Sequence, residues 1–334
     1  MITTVCRVIL GVTFLFSGFT KCIDPQGFAY SLNEYLYAFG LGSLTNLSII
    51  PAVIITLLEF STGLSLLLKY QLKKGINIAF LFMFIFTGLT FVLAITNIVE
   101  DCGCFGSTIK LSNWETFAKN AILLIPAIHL FRIRKRLPEI KSVRVTIKFI
   151  LLLLTGYVVL GYSYATQPLI DMPKYAVGAR IEPILHTDPS GIALIQVVPQ
   201  LSKVPTGIQD DFNKLYIYCN ERGFDFQAYT SSSQEERIDY MRNNRMPYEL
   251  RIADEMSLKN LMRPEAGLVA VSDGVIIGKW SYRNMPQIKN FEKSGVVGVA
   301  MQQQTDTRHK LIIAVALLML LLFLKGNGKT IANY

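Results

Sequence analysis

The stretch INIAFLFMFIFTGLTFVLAITNI, residues 76–98, carries no charged side chain along its whole length. At 1.5 Å of rise per residue, about 20 such residues in a helix cross a hydrocarbon core of ~30 Å. In lipid the backbone must satisfy its own hydrogen bonds, so a run of this length reads as a membrane helix. Comparable runs occupy Thr3–Thr20, Ile49–Leu68, Thr116–Phe131, Val145–Tyr164 and Leu311–Leu324. Two of them, Thr116–Phe131 and Leu311–Leu324, are short. Lys119 inside the former, and Lys310 and Lys325 beside the latter, are placed to snorkel toward the interfaces. The pattern predicts about six membrane helices. Retention of the first is expected, because no small-residue cleavage site follows it and FTK before Cys22 does not fit a lipoprotein box.

Composition agrees. Of 334 residues, 51% are hydrophobic and 17% charged, with a mean hydropathy of +0.38. A soluble chain of this length needs more polar surface to cover its core. The net charge of +9 is also uneven. Ala165–Arg308 holds 16 basic and 17 acidic residues, whereas the remainder holds 17 and 7. Positive charge therefore lies beside the apolar helices, which argues against a nucleic-acid surface.

The charges fix an orientation. Lys69, Lys73 and Lys74 fall in one short connection, and Arg132, Arg134, Lys135, Arg136, Lys141, Arg144 and Lys148 in another. Lys325 and Lys329 follow the last run. The alternate loops, Lys21–Ser48 and Val99–Glu115, hold only Lys21 and Lys110. By the positive-inside rule the N-terminus is expected in the cytoplasm, and Ala165–Arg308 outside it.

That outer segment reads as a small α/β domain. IALIQVV (Ile192–Val198) is a β-rich run, followed by an amphipathic helix through Asp210–Arg222. FDFQAYT (Phe224–Thr230) is a second strand, SSSQEERIDYMRNN a helix with a serine cap, and GLVAV-SDG-VIIGKW a hairpin. Strands alternating with helices describe a layered sheet.

Chemistry enters through cysteine. Cys6 lies near the cytoplasmic end of the first run; Cys22, Cys102, Cys104 and Cys219 are expected outside, where disulfides persist. The sharpest local signal is Asp101-Cys102-Gly103-Cys104-Phe105-Gly106, after the third run. Two thiols around one glycine can close a tight, exchange-prone ring, with Gly103 supplying backbone freedom. Three readings stay open: a redox dithiol, a structural turn bridged to Cys22, or a metal site. The metal reading lacks ligands, since His129 is at the opposite end. Glu59 sits inside the second run, where a charge costs ~2.5–3.5 kcal/mol on insertion scales. An Arg7–Glu59 pair is one expectation; a protonatable Glu59 on a quinone or proton path is another. Cys219 reads as a buried structural thiol.

Three stretches carry a resemblance: FSGFTKCIDP at residues 16–25, LLEFSTGLSLLL at 57–68 and DCGCFG at 101–106. With them, residues 1–135 resemble the DoxX/MauE family of four-helix membrane proteins, and the Cys-Gly-Cys-Phe-Gly element is closest to its MauE branch. That branch is named for methylamine utilisation and is thought to assist disulfide formation in methylamine dehydrogenase. The resemblance implies a membrane component of extracytoplasmic thiol–disulfide chemistry, without implying that this chain handles methylamine. The outer domain resembles a thioredoxin-like, TlpA-type fold whose Cys-x-x-Cys is absent: Pro199-Gln200-Leu201-Ser202 stands there, and Pro264 is two positions from the expected cis-proline near Ala266. It reads as a redox-inactive binding module.

The expected architecture is therefore all-α in the membrane, a four-helix bundle plus two further helices, with an extracytoplasmic α/β domain. Residues 1–135 form the bundle, with helices near 3–20, 49–68, 76–98 and 116–131. Residues 136–164 form a basic linker and fifth helix, 165–308 the outer domain, and 309–334 the last helix and tail. The expected location is a bacterial inner membrane. In the leading reading Cys102 and Cys104 act as a thiol–disulfide oxidoreductase pair on a client protein with thiols, supported by Cys22, Gly103 and Glu59. The rival is a non-enzymatic scaffold with a structural bridge. No cofactor-binding residue can be named; a quinone is the acceptor suggested by analogy with other four-helix disulfide-forming membrane proteins.

Overall fold

A computed structural model describes residues 1–98, 112–140, 142–171 and 174–323. The chain forms two compact units, Met1–Gly161 with Ile312–Tyr334, and Tyr162–Leu311.

The first unit holds α1 (Ile2–Ile23), α2 (Pro25–Ala38), α3 (Ile49–Leu68), α4 (Leu72–Thr96), α5 (Asn113–Ile133) and most of α6 (Val143–Ala165). All but α2 are long and apolar enough to cross a membrane. Their outward side chains confirm the environment: Leu81, Phe84, Ile85, Ile122, Ile125 and Val158 are exposed, a surface that water would not tolerate and lipid covers. Inside, Leu10 and Phe14 of α1 pack with Leu66, Leu72, Ile76, Met83 and Leu130. The chain is a multi-pass membrane protein in this part.

Glycine sets the spacing of α1 against α3. A Cβ on Gly18 would lie 2.5 Å from the Phe60 amide nitrogen, and one on Gly63 would run into the Leu15 backbone. The two helices touch along their backbones there, as small residues allow in lipid. Two expectations change here. α1 continues past Thr20 to Ile23, so Lys21 and Cys22 are helical and buried rather than loop residues. The stretch read as an open loop contains α2, started by the Asp24 side chain on the Gly27 amide (2.8 Å) and by Pro25 at the first turn.

The ends of the bundle are chemically distinct. Thr3 Oγ1 and His129 Nε2 lie 3.5 Å apart, so α1 and α5 run antiparallel. Near that end Lys69 O accepts from Ile140 N (3.1 Å) and Lys73 N donates to Glu139 (2.9 Å), gathering the basic connections together. Cys22, Asn97 and Asn113 therefore lie at the other end.

The second unit contains α7 (Glu182–Leu185), β1 (Ile192–Val198), α8 (Ile208–Arg222), β2 (Asp225–Thr230), α9 (Gln234–Asn243), β3 (Arg251–Ile252), α10 (Glu255–Leu261), β4 (Gly267–Ser272), β5 (Val275–Ser281) and the first part of α11 (Ile288–Phe323). The sheet order is β3-β2-β1-β4-β5; β1 is parallel to β2 and β2 to β3, while β4 is antiparallel to both β1 and β5. Helices cover both faces, which is why β1, apart from Gln196, is apolar without alternation. Leu194 and Val198 face Phe212 and Leu215 of α8; Ala193, Ile195 and Val197 face Leu258 and Leu261 of α10. The β4–β5 turn has positive φ at Asp273 (48°) and Gly274 (76°), as a tight hairpin requires. α11 breaks at Gly295 (φ 67°), and from Ile312 it belongs to the first unit, where Leu318 packs with Leu15, Phe60 and Leu152.

Candidate functional site

The close contact of α1 with α3 puts three polar side chains together inside the bundle. Ser17 and Lys21 are one helical turn apart on α1, so they share a face. Lys21 Nζ donates to Glu59 Oε2 at 2.6 Å and to Ser17 Oγ at 2.9 Å, and Ser17 Oγ donates to the same Glu59 oxygen at 2.8 Å. Lys21 is 2% exposed and Glu59 4%, so both charges have left water. A buried charge without its partner is strongly unfavourable, and the pair is what allows either to be there. The ammonium also lies 4.8 Å from the centre of the Phe28 ring, brought over by α2.

This finding corrects the expected partner of Glu59. Arg7 is spent elsewhere: its Nη1 donates to Leu66 O and, at 3.1 Å, to Leu67 O near the end of α3. Hydropathy ended the first run at Lys21 and so hid it; the four-residue spacing from Ser17 was the signal available.

The cluster floors a cavity of about 250 Å³ among α1, α2, α3, α4 and α5. Phe14, Phe28, Tyr35 and Phe86 wall it, and Thr90 and Asn120 add a second polar spot, Asn120 Nδ2 donating to Thr90 Oγ1 at 3.2 Å.

Of the cysteines, Cys102 and Cys104, with Gly103, lie outside the described residues. Both flanks are described. α4 ends at Asn97 in the left-handed region (φ 49°). α5 opens with a reciprocal cap in which Glu115 N donates to Ser112 Oγ (3.3 Å) and Ser112 N to the Glu115 carboxylate (2.8 Å). Asn113 Nδ2 donates to Asn97 Oδ1 at 3.2 Å, tying the flanks to each other at the Cys22 end of the bundle. Cys22 carries a free thiol and is fully buried. Among the described residues no group of three or more His, Cys, Asp or Glu is placed to hold a metal ion.

The second unit offers different chemistry. The stretch after β1 is held by the segment after β2: Ser231 N donates to Pro199 O (3.2 Å) and Leu201 N to the Ser232 side chain Oγ (3.1 Å). Beneath it runs a closed ring. Gln196 Nε2 donates to Gln209 Oε1 (2.9 Å), Gln209 Nε2 to Tyr248 Oη (2.7 Å), and Tyr248 Oη back to Gln196 Oε1 (2.7 Å). Burial pushes the Tyr248 hydroxyl far above the usual phenol range. Cys219 is free and buried in α8; burial, with the Asp225 charge adding to it, pushes its thiol up to about 12. Such a thiol is no nucleophile. A larger cavity, about 700 Å³, is lined by Gln167, Asp171, Lys279, Gln303 and Arg308 among others, and its buried lysine is already paired with Asp171.

Residues 1–132 match the family model described as methylamine utilisation protein MauE. No curated protein and no solved structure matches the chain. The matched region contains α1 to α4 and nearly all of α5, and so the whole Ser17–Lys21–Glu59 cluster and its cavity.

Proposed function

We propose that this membrane protein, MauE-like over residues 1–132, is an inner-membrane component of extracytoplasmic thiol–disulfide chemistry acting through Cys102 and Cys104. The N-terminus is cytoplasmic in this reading, and the second unit lies on the outer side. The observation that carries it is the Cys-Gly-Cys element, with its two flanks joined through Asn97 and Asn113 at the end of the bundle away from the basic connections.

The step is an exchange. A client thiolate attacks one sulfur of the Cys102–Cys104 disulfide, that S–S bond breaks, and a mixed disulfide forms. A second client thiolate then attacks the mixed disulfide, giving an oxidised client and the reduced pair. Cys22 is fully buried, so its part in the reading is an internal relay. The second unit, which runs β1, α8, β2, α9, β3, α10 and then the β4–β5 hairpin, supports a thioredoxin-like module that recruits the client: its Gln196–Gln209–Tyr248 ring and high-pKa Cys219 supply no exchange chemistry.

Trapping tests this. In native membranes, Cys104→Ser in the full chain should accumulate a reductant-sensitive adduct with a second protein. If that variant behaves as wild type and the wild-type pair stays oxidised under all conditions, the non-enzymatic scaffold reading replaces this one.

A further inference from the structure

We propose that the polar cavity of the second unit binds the headgroup of an anionic phospholipid. It measures about 700 Å³, within the roughly 300–1,000 Å³ of pockets that enclose a small ligand, so a phosphate with its glycerol fits. Its depth follows from the chain. Tyr162 lines it near the end of α6, a helix long and apolar enough to cross a membrane, and Leu311 lines it where the last apolar run begins. Lys310 Nζ donates to the Tyr162 hydroxyl at 3.0 Å and lies 4.8 Å from the centre of that ring. A tyrosine and a lysine joined at the ends of two apolar runs mark the level of lipid headgroups.

Charge selects the ligand. The charged side chains in the lining are Lys279, Lys293, Arg308 and Lys310 against Asp171 and Asp306. Lys279 is buried and bonded to Asp171 and, at 3.0 Å, to Tyr175 O, so that pair cancels. Three cations then face one carboxylate, which leaves the cavity positive. Phosphate is the anion that lipid supplies at this level. A guanidinium grips it through two parallel N–H donors, and an ammonium adds a point charge. Asn290 spends its side-chain oxygen on Gln287 N (3.1 Å), so what it offers the cavity is an NH2 donor.

The break in α11 gives the cavity its two cationic sides. Gly295 turns at φ 67°, with Lys293 before it and Arg308 after it, and both of those residues are exposed. Among the described residues neither takes part in an ion pair. Topology does not account for them, because in the orientation proposed above they stand on the side that the positive-inside rule leaves poor in basic residues. Basic pockets beside membrane helices recognise lipid phosphates, and one held here ties both segments of α11 to the lipid surface. The binding itself requires neither that orientation nor the thiol reading.

The test is native mass spectrometry of the purified full chain in detergent, titrated with dioleoylphosphatidylglycerol or dioleoylphosphatidylcholine. Wild type should retain one phosphatidylglycerol in preference to phosphatidylcholine. Lys293→Gln with Arg308→Gln should weaken phosphatidylglycerol about tenfold, leave phosphatidylcholine unchanged and keep thermal unfolding cooperative. Lys73→Gln with Lys74→Gln, which removes two exposed charges from the basic end of the bundle, should bind as wild type. A Cys102→Ser/Cys104→Ser chain should do so too, whatever becomes of the thiol reading. Equal retention of the two lipids, unchanged binding in the Lys293/Arg308 variant, or the same loss in the Lys73/Lys74 variant would overturn the assignment. A large excess of glycerol 3-phosphate should not displace the lipid; displacement would overturn it in favour of a soluble phosphate ester.

Discussion

Each unit of this chain buries a cluster of polar side chains, and the two clusters are built on opposite principles. Gln196, Gln209 and Tyr248 close on one another, neutral and mutually satisfied, with Asn213 and the Tyr240 hydroxyl as further partners of Gln209. Lys21 and Glu59, bridged by the Ser17 hydroxyl, form an ion pair that faces a void. A closed neutral ring adds rigidity and specifies one core. A charged pair kept beside empty space in a membrane is costly to maintain and normally marks function. The lesson is to weigh a buried polar group by what it faces, since Gln196 and Gln209 are as buried as Lys21 and Glu59.

Breaking the comparison begins with its costliest element. Lys21→Met strands Glu59 inside the bundle, and the loss should be about 3–5 kcal/mol. It should read as a large drop in membrane accumulation and in the denaturant or heat needed to unfold the purified protein. Lys21→Met with Glu59→Leu should recover most of that loss, because an ion pair replaced by apolar groups is often neutral. Equal damage in single and double variants would show that the pair's geometry, rather than its charge, matters.

Gly18→Val comes next. Its new side chain meets the Phe60 backbone, which cannot give way, so overpacking of about 1–3 kcal/mol is expected by the same unfolding measurement. Tyr248→Phe should cost a similar 1–3 kcal/mol by opening the Gln196–Gln209 ring. Its sharper signature is location: the loss should appear in hydrogen exchange of β1 and α8 and leave the thiol state of the membrane unit unchanged.

The smallest effect concerns Cys219. Its thiol titrates at about 12 instead of the ordinary 9.0, so the folded state favours the protonated form. The sign follows: this contribution to stability is intact below pH 9.0 and is lost as pH climbs toward 12. At pH 8 a maleimide should react with Cys219 only after denaturation, with alkylation followed by mass spectrometry as the readout.

The membrane helices were legible because lipid leaves a backbone few options, and an uncharged run such as residues 76–98 declares itself. The sheet was legible because Ser272-Asp273-Gly274 is turn chemistry and IALIQVV suits a strand covered on both faces. Lys21 was not. A charge ends a hydropathy window, and nothing local says that Glu59, thirty-eight positions later, meets it. That pairing depends on Gly18 and Gly63 letting two backbones touch, a tertiary fact. α2 hid in a presumed loop, although Asp24-Pro25 is a helix start in plain view. Residues 99–111, which hold the proposed reactive pair, are legible in sequence alone.

The most direct measurement labels those two sulfurs from outside. Intact cells or spheroplasts, treated with a membrane-impermeant maleimide before and after mild reduction, report sidedness and bond state together. The account predicts that Cys102 and Cys104 resist the probe while oxidised and take it up after reduction, without permeabilisation. Labelling that needs a breached membrane would contradict it.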